Sequence, residues 1–265
     1  MFLKEAVKAN PNLVFKGGTC LSKCYKVINR FSEDVDLGLS VEHATEGMRK
    51  KMEAAVVTAC ENLGLDIVNL ASTRSRREFN RFEIILPNLV DEGDDLLLVE
   101  TAVMTPANPA QPMQVQSFVG EYCQAQGYLD IAERYGLAPF EVVANSLERT
   151  FCDKIFAVCD YYLSGPIPQR QSRHVYDLYK LSEILPFDEN MFTLLEEVRR
   201  QRCGLFRCPS AEPDVNLPDV LREIVSKKAY KEDYNNDTVP LLYETAPYEQ
   251  AVQALLSIAE RIGAR

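Results

Sequence analysis

The chain has 265 residues, a formal net charge of −10, 46% apolar and 26% charged side chains, ordinary values for a globular protein long enough to bury one large core or two smaller ones. No apolar stretch approaches the roughly 20 residues that span a bilayer, and the N-terminus lacks a basic-then-apolar signal pattern, so a cytoplasmic protein without a membrane segment is expected. Eight scattered cysteines without a C-x-x-C pair and only two histidines argue against structural zinc or a disulfide framework, and the acidic balance means that nucleic acid would have to be met by a local basic patch.

In chain order the pattern predicts a strand at 12–16, a helix at 19–29 after the pair Gly17-Gly18, a strand at 35–40 and a helix at 42–63 stopped by Gly64. Strands are expected at 65–70, 78–86 and 96–104, the last entered through Asp91-Glu92-Gly93-Asp94-Asp95, whose carboxylates read as solvated loop charges. Pro106, Pro109 and Pro112 then break the chain, and helices are expected at 140–163, 171–185, 189–202, 218–230 and 247–262, with a proline-rich loop at 208–219. Strands gather first and helices second. That order predicts an α+β fold, with a mixed-sheet catalytic core over 1–112 and a mainly helical region over 113–265.

The chemistry concentrates where the first helix hands over to the second strand. Strand side chains alternate, so Asp34 and Asp36 share one face, and two neighbouring carboxylates call for a divalent cation, magnesium or manganese, shared with substrate phosphates. Gly17 and Gly18 let backbone approach a ligand, and Thr19 at the helix start can meet phosphate through its backbone and hydroxyl. Lys23, four residues on and on the same helix face, either reaches that phosphate or is solvated. The strand at 96–104 is apolar on both faces, so Glu100 needs a partner there and is the candidate third carboxylate. Its rival Glu83 shares a mixed face with Phe79, Arg81 and Ile85, where an ion pair with Arg81 suffices.

Lys154 borders a helical stripe of Leu147, Phe151, Ile155, Val158 and Tyr162, either snorkelling or pointing into a cleft. His174 reads as a neutral packed or surface histidine. Two arginine groups, at 74, 76, 77 and 81 and at 199, 200, 202 and 207, are the candidate basic strips, with solvated surface arginines as the plain alternative.

The string Phe15-Lys16-Gly17-Gly18-Thr19-x-Leu21-x-Lys23, followed by Arg30-Phe31-Ser32-Glu33-Asp34-x-Asp36-Leu37, resembles the opening of the DNA polymerase β-like nucleotidyltransferases. It resembles most specifically the AbiEii/AbiGii toxin family of minimal nucleotidyltransferases. Asp153-Lys154-Ile155-Phe156-Ala157 with the later Arg173-x-x-Tyr176-Asp177-Leu178-Tyr179 is similar to that family's second signature. The resemblance implies a polymerase β-like fold and transfer of a nucleotide from an NTP with release of pyrophosphate. It further implies an RNA acceptor such as a tRNA 3′ end and a DNA-binding antitoxin as partner. It carries Lys154 over as a triphosphate ligand, with Arg173 beside it, and Asp177 as a functional acid; Glu100 or Asp177 would orient or deprotonate the acceptor hydroxyl. The plain alternative for Arg173, Asp177 and Lys180 is a surface ion-pair network. A small-molecule nucleotidyltransferase and a non-catalytic nucleotide-binding relative stay open. The family's longer helical lead is short here, with fourteen residues before Phe15.

Overall fold

The computed structural model describes residues 1–43, 45–73, 78–87 and 94–264, and in it the strand signals gather into one mixed sheet. Its strands are β1 (Val14–Lys16), β2 (Val35–Gly38), β3 (Phe79–Pro87), β4 (Asp94–Ala102), β5 (Ala110–Val115) and β6 (Phe140–Asn145), hydrogen-bonded in the order β3-β4-β2-β1-β6-β5. Alternation sorts the sheet's two faces. Phe15, Val35, Leu37, Phe82, Ile84 and Val99 turn inward onto α1 (Phe2–Ala9) and α3 (Glu46–Leu63), which contribute Phe2, Ala6, Met52, Val56 and Ala59 to the same core. Thr45 caps α3 by accepting from the Met48 amide, and Gly64 ends it with φ +64°, as its position predicts.

Chain between these elements departs from expectation in several places. The first helix spans only Gly17–Cys20 (α2), continues as a π turn over Leu21–Tyr25, and stops at Lys26 in a left-handed conformation with φ 56°. Residues 65–70 form no strand; a single bridge joins Ile67 to Ile84. The stretch from Phe140 begins as strand β6, because Val142, Ala144 and Asn145 are buried between β1 and β5, and helix starts at Leu147. Strand β5 covers the expected division at residue 112, and two further helices, α4 (Phe118–Ala125) and α5 (Leu129–Arg134), separate it from β6.

Contacts divide the chain into two compact units, Met1–Lys26 with Ser32–Ser146, and Val27–Phe31 with Leu147–Arg265. The second unit is helical: α6 (Leu147–Leu163), α7 (Arg173–Ser182), α8 (Glu189–Arg202), α9 (Leu217–Ser226), the short α10 (Lys231–Asp233) and α11 (Tyr248–Gly263). The expected stripe of α6 lies in its core: Phe151, Ile155 and Val158 are fully buried, as are Val175 and Leu178 of α7, Leu221 of α9 and Leu255 of α11. Asp188 caps α8 by accepting from the Asn190 and Met191 amides, and Asn216 caps α9. No helix among the described residues is long and apolar enough to cross a membrane. All eight cysteines are free thiols, and Cys203 alone is exposed.

Candidate active site

Strand register arranges the candidates of the first unit. Lys16 pairs with Asp36 across β1 and β2, Asp36 with Glu100 across β2 and β4, and Glu100 with Arg81 across β4 and β3. Residues in register share a face, so Lys16, Asp36, Glu100 and Arg81 form one charged row across four strands, on the side opposite Phe15, Leu37 and Val99. Burial, and then the neighbouring Asp36 charge, raise the pKa of the Glu100 carboxyl above its usual range, and the Arg81 guanidinium at 3.8 Å offsets this in part. Arg81 thus serves Glu100 rather than Glu83, which sits opposite Leu98 one strand farther from β2.

Gly17 has φ +75°, and a Cβ built on it would lie 1.7 Å from Asp36 Oδ2. Only glycine lets the Asp36 carboxylate occupy that position. Thr19 Oγ1 donates to the Asp34 carbonyl at 2.5 Å and lies 3.0 Å from Ser32 Oγ. Its hydroxyl therefore fixes the loop that carries Asp34, and a helix start leaves the amides of Gly18 and Thr19 without intrahelical acceptors. The π turn rotates Lys23 away from the face expected of it: its ammonium lies 2.7 Å from the Phe118 ring centroid, and burial lowers its pKa to about 8. Among the described residues no three His, Cys, Asp or Glu groups converge tightly enough to cage a metal unaided. Asp34, Asp36 and Glu100 nevertheless suit magnesium, which commonly takes one or two carboxylates together with water and substrate phosphates.

The second unit holds the remaining candidates. Asp177 is fully buried and accepts from Arg30 Nε at 2.7 Å and Arg30 Nη2 at 2.8 Å, a two-pronged pair, while Lys154 Nζ stands 2.6 Å from its Oδ2. Burial alone would raise the Asp177 pKa; the Arg30 and Lys154 charges overcome it and hold the carboxyl well below the usual range. The carboxylate is thereby held ionised between two cationic side chains. Lys154 is not snorkelling. Its ammonium is buried, with His174 Nδ1 at 3.3 Å, and its third donor has no partner among the described residues. Burial first, and then Lys154, push the His174 pKa well below the imidazole range, so the ring is neutral; it stacks on Tyr161 with centroids 5.9 Å apart.

Arg173 Nε donates to the Arg170 carbonyl at 2.8 Å, and Lys180 pairs with Glu183 and Glu244, each at 3.2 Å. In place of the expected surface network, Asp177 centres a buried cluster that includes Arg30, a residue present in the first motif but not singled out there. Its sequence signal was its place four residues before Asp34.

Of the two arginine groups, residues 74, 76 and 77 lie outside the described residues. In the other, Arg199 donates to the carbonyls of Glu212 and Val215, and Arg202 pairs with Asp153 at 3.1 Å and Asp160 at 3.3 Å. These two arginines hold the loop after α8 and present no basic strip; Arg200 and Arg207 are exposed.

Comparison with known proteins bears on the family and the fold. No curated protein matches. Two solved structures share the fold: JHP933 from Helicobacter pylori, 16% identical with a TM-score of 0.51 over 99% of this chain and 89% of its own, and a candidate nucleotidyltransferase from H. pylori, 17% identical with a TM-score of 0.51 over 99% and 92%. The family model described as nucleotidyl transferase AbiEii toxin, type IV TA system, matches residues 2–257. Matched over nearly its whole length, the chain belongs to the AbiEii family of nucleotidyl transferase toxins of toxin–antitoxin systems.

Proposed function

We propose that the protein is a divalent-metal-dependent nucleotidyltransferase that moves a nucleotide from an NTP onto an acceptor hydroxyl and releases pyrophosphate. The observation that carries this reading is the register pair Asp36 and Glu100, two carboxylates side by side on one sheet face with Gly17 turned beneath the first. Like charges in that position ask for a cation. Magnesium or manganese, held by Asp34 and Asp36, would supply charge neutralisation at the triphosphate and the leaving pyrophosphate. Gly18 and Thr19 would meet phosphate through their amides, and Lys154 would donate its remaining N–H to a phosphate oxygen. Glu100, whose raised pKa suits it to take up a proton, would receive the one released by the acceptor hydroxyl.

The acceptor would be an RNA such as a tRNA 3′ end; membership of a toxin–antitoxin family supports an antitoxin as partner, which would be DNA-binding. The test is incubation of purified protein with magnesium, each labelled NTP in turn and total bacterial RNA. Label in one RNA class supports the proposal, and no transfer from any NTP with any acceptor removes it. A small-molecule acceptor is the second reading, favoured by the net charge of −10 and by the inward commitment of Arg199 and Arg202.

A further inference from the structure

We infer that Asp177 and Arg30 are positioning residues: the Arg30 fork fixes the Asp177 carboxylate, and that carboxylate aims the Lys154 ammonium. The geometry is complete within one compact unit. Both Asp177 oxygens accept from Arg30, at 2.7 and 2.8 Å, and Oδ2 also lies 2.6 Å from Lys154 Nζ. Lys154 has three donors; Asp177 and the neutral His174 ring take two, which leaves the third with one defined direction. A four-carbon stem with no such anchors would sample many rotamers, and holding it costs entropy that a prebuilt cluster removes before ligand arrives.

Arg30 itself is locked. Its Nη1 donates to the Phe31 carbonyl at 2.9 Å, the Phe31 amide donates to Leu241 O at 2.8 Å, and the Asn29 amide donates to Tyr176 Oη at 3.0 Å. Tyr176 in turn donates to Glu244 at 2.6 Å. The five residues Val27–Phe31 are thus stitched to α7 and to the segment before α11, and the two functions of Asp177, ordering this segment and aiming Lys154, meet on one carboxylate. A lysine at position 30 would keep the charge and lose the fork.

The inference rests on the proposal that Lys154 meets triphosphate, and three variants separate the two. The probe is magnesium tripolyphosphate, which needs no nucleobase, with binding read by calorimetry and NTP kinetics read beside it. Lys154→Met tests the proposal: unchanged affinity removes both ideas together. With that binding lost, Asp177→Asn decides the inference. Pure electrostatics predicts tighter binding when a negative charge is removed, and a base role predicts unchanged binding with kcat lost. Positioning predicts binding weakened by roughly tenfold, the factor of one charge-assisted hydrogen bond, with KM for NTP rising more than kcat falls. Arg30→Lys should show the same KM rise although its charge is intact. Tighter or unchanged binding in Asp177→Asn, or full function in Arg30→Lys, overturns the inference. Wild-type protein gives an answer even where a variant misfolds: ¹⁵N-lysine labelling should show one slowly exchanging ammonium signal, and its absence means that Lys154 is not held.

Discussion

The charged row on the sheet and the cluster on α6 and α7 solve opposite problems. On the sheet, Lys16 and Arg81 stand against Asp34, Asp36 and Glu100, and the groups are half open to solvent. In the cluster, Arg30 from the 27–31 segment and Lys154 from α6 both pair with Asp177 of α7, and all three are buried. One region therefore meets solvent, and the other is enclosed by protein. The difference also predicts that damage to the row should be read in chemistry and damage to the cluster in stability.

The largest expected effect is on the row. Asp36→Ala should lower nucleotidyl transfer by about 10³-fold or more, about 4 kcal/mol of barrier, while the melting temperature holds, because the side chain faces away from the core and its loss relieves Glu100. Transfer assays beside thermal unfolding check both halves, and retained transfer would break the comparison. Arg30→Ala should do the reverse in kind. Removing one member of a buried pair leaves Asp177 under-compensated and should cost about 3–5 kcal/mol in denaturant unfolding.

How much of this the chain discloses depends on distance along it. The strand that carries Asp36 and the α6 stripe are local patterns that stand in the fold as the periodicity indicates, while Gly17 and Gly18 open α2 itself and Asp34 lies one residue before β2. Strand β6 was hidden because Phe140 to Asn145 carries apolar residues compatible with helix, and its identity comes from pairing with β1, far upstream. The Arg30 and Asp177 pair spans 147 residues, so no window of sequence contains it. Arg81 shows the same limit, since local spacing offers it Glu83 while the register of β3 on β4 assigns it Glu100.

Acid separates the two regions further. The folded-state pKa of Asp177 is depressed, so its contribution to stability is present above its unfolded value of about 4 and is lost as pH falls toward the folded one. The stability gap between wild type and Asp177→Asn should therefore be widest near neutrality and shrink below about pH 4, as unfolding followed across a pH series would show. Glu100 runs the other way. Its folded pKa is raised, so ionisation opposes folding as pH rises through that value, and Glu100→Gln should stabilise the protein at neutral pH by less than about 1 kcal/mol, the group being a third exposed and screened. The gain should vanish in acid, while transfer activity falls at every pH.

The course of Val27–Phe31 has a consequence for how such proteins can be cut and recombined. The first compact unit is interrupted by five residues that belong to the second, so no single break in the chain separates the two. A fragment beginning at Leu147 contains Lys154, His174 and Asp177 yet lacks Arg30, and its central carboxylate would keep one cation of two. A C-terminal half moved into a relative therefore keeps this cluster only if a pentapeptide encoded far upstream of Leu147 moves with it.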